Sequence, residues 1–390
     1  MLEIETFICY FITKSSYHSV ALSQILNLKM LKHIKPLTIG IIGGGQLGRM
    51  TAHAAQALGY KTIIFADKID SPAIQVTDSS IIANYDDKKA LQKFADLIDV
   101  ATFEFENIPV ASVEFLNAIK PVYPSAQVLK ITQHRILEKS FLNNLGVATA
   151  EFAEIKTLEN LLDGLKKFDK AVLKTATMGY DGKGQFVLEN EASARDAWTK
   201  ILASSTSIPQ LILEKFCHFA SEISVIVVRS INGEIACYEP LTNVHKNGIL
   251  DSSTYPAKIS ATTKNSAEEI ATKIVQSLDL KGVLAVEFFV MDDGSLLVNE
   301  LAPRPHNSGH FSMDAAITSQ FEQLARAITG LPLGSTEFHS QGFMKNLIGD
   351  EVNNLSEFLI DKNSKIHLYG KLEAKAGRKM GHINILTNHQ

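Results

Sequence analysis

Apolar residues change their period along this chain, and the changes mark its elements. Thr38–Ile42 is a short apolar run that predicts a buried strand. Helical spacing follows over Gln46–Leu58, and Lys61–Ala66 is again a continuous apolar run. Ile81–Ala83, Val100–Glu104 and Val122–Tyr123 read as further strands. Strands alternating with helices predict a parallel, doubly wound α/β unit over residues 37–130. The pattern then changes. Lys170–Lys174, Phe186–Leu188, Leu211–Phe216 and Glu222–Arg229 read as strands, beside helices over Leu158–Lys167 and Ala267–Leu278. Gly282–Val290 and Ser295–Val298 flank Asp292-Asp293-Gly294, which predicts a hairpin. This mixed α+β part spans 131–330, and short strands and turns over 331–390 predict a small C-terminal β domain. Ser204-Ser205-Thr206-Ser207 reads as a surface loop.

The chain has 390 residues, 45% of them apolar, enough for two or three domains. Its net charge of −4 gives no basic surface for nucleic acid. No run reaches the ~18 apolar residues of a membrane span. Cys9, Cys217 and Cys237 have no paired metal spacing, and so sparse a count fits a reducing, cytoplasmic setting. Residues 1–36 stand apart from the periodic pattern. Phe7–Ile12 is apolar but short, and Glu3 and Glu5 lie where a signal peptide carries positive charge. The preferred reading is a translation start at Met30, with an unstructured extension before it. A docking or targeting segment is the alternative.

Three segments carry candidate chemistry. Glu287 lies in the first hairpin strand and Glu300 just past the second, so both carboxylates can face one cavity and hold a hard cation against phosphate oxygens. A solvated surface hairpin is the plain alternative. The polar run Asn299-Glu300-Leu301-Ala302-Pro303-Arg304-Pro305-His306-Asn307-Ser308-Gly309-His310 exceeds what a turn needs and reads as a substrate loop. Lys174 ends a strand that runs into the glycine-rich stretch Gly179–Gln185, whose N–H groups can wrap phosphate. Because these glycines join two strands, the stretch reads as a flap rather than a Walker A loop. Glu214 can accept from an adenine amino group, and Glu222 from ribose hydroxyls.

Gly43-x-Gly45-x-x-Gly48 follows a strand, opens a helix and has Asp67 near the end of the next strand. By spacing this is a dinucleotide fingerprint, so a nicotinamide dehydrogenase is the rival enzyme class. A non-catalytic nucleotide-binding scaffold is a third class. The flap and carboxylate hairpin have no use in hydride transfer, and Lys174, Glu287 and Glu300 are all present.

Together these motifs resemble the ATP-grasp carboxylate–amine ligases, most closely the 5-(carboxyamino)imidazole ribonucleotide synthases of purine biosynthesis. Gly43–Met50, Phe103-Glu104-Phe105-Glu106-Asn107, Gly179–Gln185, Asn299–His310 and Gly377–His382 carry the resemblance, which runs from about Leu37 to the C-terminus. It implies an N-terminal Rossmann-like domain, a two-lobed ATP-grasp domain and a small C-terminal β domain. It also implies ATP, bicarbonate and 5-aminoimidazole ribonucleotide as substrates, with Mg²⁺ (or Mn²⁺) as the metal and a homodimer as the assembly. Another ATP-grasp ligase acting on a different nucleotide is the nearest alternative. By resemblance, ATP falls to Arg135, Lys174, Gly179, Tyr180, Asp181, Gly182, Lys183, Gly184, Gln185, Glu214, Lys215, Phe216, Cys217, Glu222, His245, Asn299 and Glu300. The aminoimidazole ribonucleotide and bicarbonate fall to Gln46, Glu104 or Glu106, Tyr180, Asp181, Lys183, Arg304, His306, Asn307, Lys371 and Arg378. Tyr180, Asp181, Lys183 and Arg304 are the implied catalytic groups, and Glu287 and Glu300 the metal ligands. Lys183 stands where the family often has Arg, which keeps the charge but loses a bidentate fork. Ala302 stands where many broader ATP-grasp enzymes carry a metal-binding Asn, which leaves the two glutamates as the principal ligands.

Overall fold

The computed structural model describes residues 37–387 apart from 178, 180–183 and 204–208. The expectations for residues 1–36, for Tyr180, Asp181, Gly182 and Lys183, and for Ser204–Ser207 therefore lie outside the described residues.

Strands β1 (Thr38–Ile42), β2 (Lys61–Ala66), β3 (Ser79–Ile82) and β4 (Val100–Phe103) form a parallel sheet of order β3-β2-β1-β4. Its helices are α1 (Gln46–Ala57), α2 (Lys88–Leu97) and α3 (Val110–Asn117). β1 and β2 are buried almost throughout because helices cover both faces, which is why they read as unbroken apolar runs. Phe65, Phe94, Phe103 and Leu116 fill this core. Val122–Tyr123, expected as a strand, makes only an isolated parallel bridge from Val122 to Ala101. Pro121 and Pro124 on either side cannot donate to a ladder.

Helices α4 (Ala126–Thr132) and α5 (Arg135–Asn144) lead out of this unit. A small antiparallel sheet follows, of order β5-β8-β6-β7, from β5 (Phe152–Ile155), β6 (Ala171–Thr175), β7 (Gln185–Leu188) and β8 (Leu211–Lys215). Helices α6 (Leu158–Phe168) and α7 (Glu191–Ala203) pack on it through Leu161, Leu165, Ala197 and Ile201. Thr157 caps α6 by accepting from the Asn160 N–H.

The third sheet has nine strands. They are β9 (Ser221–Arg229), β10 (Ile235–Cys237), β11 (Leu241–Lys246), β12 (Ile249–Tyr255), β13 (Gly282–Val290), β14 (Leu296–Ala302), β15 (Gln341–Ile348), β16 (Ser364–Leu368) and β17 (Lys379–Thr387). Their order is β14-β13-β9-β11-β12-β15-β17-β16, with β10 on β9. The C-terminal strands thus continue the central sheet, because β15 pairs with β12 from Ser252↔Lys345 to Tyr255↔Gly342. Helix α8 (Ala261–Ser277) covers β9 and β13 with Ala267, Ala271 and Ile274. Helix α9 (Gln320–Thr329) carries Phe321 into a small cluster with Leu47 and Met50 of α1 and with Tyr369.

Candidate active site

A cavity of about 830 Å³ lies among the three sheets, lined from the glycine turn before α1, the start of α5, β6, β8, β9, β13 and β14. Sheet register decides which side chains reach it. Lys174 on β6 pairs with Ile212 while Glu214 on β8 pairs with Val172, so the two are diagonal neighbours on one face. Lys174 Nζ sits 2.8 Å from Glu214 Oε2, and Lys139 Nζ of α5 lies 3.6 Å from the same oxygen. Burial by itself would raise the Glu214 carboxyl; Lys174 and then Lys139 outweigh it and hold it down at about 2. Burial also lowers Lys174 by more than Glu214 raises it. Glu214 Oε1 has no partner among the described residues, so one acceptor remains for a ligand.

Across the cavity, Glu222 on β9 accepts from His245 Nδ1 at 2.8 Å. Glu287 on β13 faces Glu300 on β14 in direct register. The register then slips, with Phe288 opposite Val298, so Asn299 and Glu300 together oppose one residue. This bulge lets two consecutive side chains line the same cavity, where a regular strand would send them to opposite faces. Glu300 Oε2 meets Arg135 at 3.3 Å and Glu287 Oε1 meets His306 Nε2 at 3.1 Å. His306 holds Glu287 well below the usual carboxylate range, against the effect of burial. Asn299 Oδ1 is buried with no partner among the described residues. Two carboxylates and an open amide oxygen are hard oxygen donors, a set that fits a divalent cation of the Mg²⁺ type.

The loop after β14 brings Arg304 onto Glu106 in a bidentate pair, Nε to Oε2 at 2.5 Å and Nη2 to Oε1 at 2.9 Å. Arg304 overcomes the burial of Glu106 and lowers it. Asn307 is buried, lines the cavity and leaves both polar atoms of its amide unpartnered among the described residues. Glu104 and Glu106 both line the cavity but do different things. Glu104 accepts from the backbone N–H of Gly45 and, at 2.8 Å, of Gly48. A Cβ at Gly45 would collide with that carboxylate. The N–H groups of Gly45 and Gly48, which a dinucleotide site would leave free for the pyrophosphate, are therefore occupied by a side chain. The same contact explains how a dinucleotide-like spacing arises without leaving a pyrophosphate site open.

Of the other residues singled out in the sequence, Gln46, Gly179, Gln185, Lys215, Phe216 and Cys217 also line the cavity. Gly184 does not; it sits at φ +72 in the turn joining β6 to β7. Lys371 and Arg378 lie outside the lining as well. Lys371 Nζ donates to the Lys379 carbonyl at 2.6 Å and Arg378 Nη1 to the Glu373 carbonyl at 3.1 Å. Arg378 belongs to the turn before β17, and Lys379, the first residue of that strand, is the one that lines the cavity. Sequence reading missed Lys379, Glu138, Lys139 and the ring pair Phe219–Phe289. Those rings stack at 4.4 Å with an interplanar angle of 4°, and both line the cavity. Signals existed for most of them. Phe289 is two residues from Glu287 on one strand, and Lys139 is one helical turn from Arg135.

Two sheets clamping a cavity between a buried lysine and a carboxylate hairpin, with a parallel α/β unit beside them, are the arrangement of an ATP-grasp ligase. An ATP-grasp domain model matches residues 140–321, a ribonucleotide synthetase preATP-grasp domain model residues 37–133, and a phosphoribosylaminoimidazole carboxylase C-terminal domain model residues 342–390. An N5-carboxyaminoimidazole ribonucleotide synthase of Brucella melitensis is 47% identical over 349 residues, 89% of this chain and 95% of its own length. The Staphylococcus aureus N5-carboxyaminoimidazole synthetase complexed with ADP superposes with a TM-score of 0.85 at 37% identity, covering 90% of this chain and 94% of that one. The Aspergillus clavatus synthase in complex with ADP and 5-aminoimidazole ribonucleotide gives 0.83 at 31%, covering 90% and 94%. This chain belongs to the N5-carboxyaminoimidazole ribonucleotide synthase family.

Proposed function

We propose that this protein uses ATP to join bicarbonate to the exocyclic amine of 5-aminoimidazole ribonucleotide, giving N5-carboxyaminoimidazole ribonucleotide, ADP and phosphate in purine biosynthesis. The observation that carries the reading is the cavity itself. One wall pairs a buried lysine with Glu214, and the facing wall carries Glu287, Asn299 and Glu300 on a bulged hairpin.

The chemical problem is to bring several anions together. Lys174 and Arg135, both in the lining, are assigned to the phosphate oxygens, and Phe216 with the Phe219–Phe289 stack to the base, for which they offer apolar surface. Glu287, Glu300 and Asn299 Oδ1 are the groups that would hold Mg²⁺, which supplies charge neutralisation at the transferring phosphoryl group. A bicarbonate oxygen attacks the γ-phosphorus, the bond to the β-phosphate oxygen breaks, and ADP leaves behind carboxyphosphate. The amine nitrogen then takes the carboxyl carbon, phosphate departs and the nitrogen loses a proton. Arg304, held by Glu106 and by the Pro305 carbonyl, is assigned with its remaining N–H groups to the carboxyl oxygens, and the open amide of Asn307 lines the same cavity. Tyr180, Asp181 and Lys183 complete the assignment as flap residues that exclude water, and the assembly is taken as a cytoplasmic homodimer.

The test is ADP formation with bicarbonate present, with and without aminoimidazole ribonucleotide. ADP release that requires both is expected, with product carrying label from ¹⁴C-bicarbonate. ATP turnover indifferent to the ribonucleotide would overturn the substrate assignment. Activity only with NAD or NADP would revive the dehydrogenase.

A further inference from the structure

His306 is the only described histidine paired with the hairpin carboxylate Glu287, and a loop rather than a strand carries it. Loops hold side chains less tightly than strands do. Something must fix this one, since a small displacement of a group that positions substrate weakens catalysis steeply. The fixing group lies outside the motifs that the sequence singled out.

Gln320 is the first residue of α9, fully buried and not itself part of the cavity lining. Its Oε1 accepts from the His306 N–H at 2.9 Å, and its Nε2 donates to the His306 carbonyl at 2.7 Å. One amide side chain thus satisfies both backbone groups of a single residue, as a paired strand would. Nε2 also donates to His310 Nδ1 at 3.1 Å. That contact requires a neutral His310, and burial pushes His310 well below its ordinary value. The space for the clamp is reserved by Gly309, where a Cβ would fall 2.6 Å from Gln320 Oε1. Ser312 Oγ accepts from the Gln320 N–H at 3.0 Å, which anchors the helix end that presents the amide. Ser319 caps the same helix through the Glu322 N–H.

We infer that Gln320 is a positioning residue for the reaction: it holds His306, which the family resemblance assigns to aminoimidazole ribonucleotide or bicarbonate, as a strand neighbour would, and so sets where the His306 ring meets Glu287 in the cavity. The inference rests on the proposed function for the identity of those substrates, but not for the clamp itself. It makes α9, a helix with no residue in the cavity lining, part of the site's precision.

The experiment compares wild type, Gln320→Leu and Gln320→Glu. Leu keeps the volume and loses every polar contact. Glu keeps an acceptor for the His306 N–H and loses the donor to the His306 carbonyl and to His310. Kinetics with each substrate varied in turn should show the KM for ATP within about twofold of wild type. The kcat/KM for bicarbonate and aminoimidazole ribonucleotide should fall at least tenfold in Gln320→Leu, and by less in Gln320→Glu. Histidine ring ¹⁵N spectra of the substrate-free protein should show the His306 signals displaced, while those of His245, paired with Glu222, stay in place. Equal losses for all three substrates with the His306 signals unmoved would overturn the inference. If Gln320→Leu does not fold, Gln320→Glu alone decides, by the same His306 displacement. A wild type that ignores aminoimidazole ribonucleotide would sink the proposed function, while the ring spectra would still decide the clamp.

Discussion

At the scale of single residues, the facing walls of the cavity make separable demands. Glu287→Gln or Glu300→Gln removes one negative charge from the hairpin donor set. Each should lower ATP turnover by ~10²-fold or more with folding nearly intact. Steady-state rates beside circular dichroism spectra check this, and full activity in the purified double variant would remove both from the site. Glu214 makes a prediction about acid. Its folded value of about 2 lies below the ordinary 4.5. Its stabilising contribution is therefore complete above the unfolded value and is lost as pH falls from 4.5 toward 2. Between pH 5 and pH 3 this amounts to roughly 2 kcal/mol of the decline in unfolding free energy. Urea denaturation at the two pH values should show that decline shrink in Glu214→Gln, even though the variant starts from lower stability. An unchanged difference would mean that Lys174 and Lys139 do not hold this carboxylate as described.

At the scale of elements, the turn into α1 shows how a motif's spacing can mislead about its use. Gly43 and Gly45 admit close approach of another group to the backbone, and that group is the Glu104 side chain, which also accepts from the Gly48 N–H. Glu104→Ala leaves the half-buried N–H of Gly45 and the buried N–H of Gly48 without their acceptor. The expected cost is ~1.5–3 kcal/mol, read as a lower urea midpoint with an unchanged slope. A loss under about half a kcal/mol would indicate that water replaces the carboxylate and that the turn is open to ligands after all. The bulge in β14 is the other decisive local feature. Without it Asn299 and Glu300 would face opposite ways, and the hairpin would offer one oxygen donor fewer.

At the scale of the whole molecule, Lys139 is the group that ties the small sheet to the large one. It is 1% exposed, lies 3.6 Å from Glu214 on β8 and donates to the Asn299 carbonyl on β14 at 3.3 Å. Lys139→Met keeps its length and removes its charge. It should destabilise the protein by about 3 kcal/mol, because Glu214 then stays buried with only Lys174 as its close partner. It should also weaken ATP binding, since the spacing between the two walls depends on this contact. Calorimetric melting and ATP titration measure the two effects. A variant as stable as wild type would show that the sheets hold their spacing by apolar packing alone.

Much of this was legible along the chain for a definite reason. Strands β1, β2 and β13 were read with their observed bounds, because buried runs and turn residues are local signals. The carboxylate hairpin, Lys174 and the Asn299–His310 loop were legible because their residue types are unusual at strand ends. What depends on pairing between distant segments was not legible. Nothing local places β15 beside β12, seats Glu104 on the glycine turn, selects Lys379 over Arg378, or brings Gln320 to both backbone groups of His306. Local sequence determined the elements and the chemical groups they carry, because propensity and periodicity act over a few residues. The tertiary structure alone decided which groups face the cavity and which are spent holding others in place, because register, bulges and buried hydrogen bonds form only when remote segments meet.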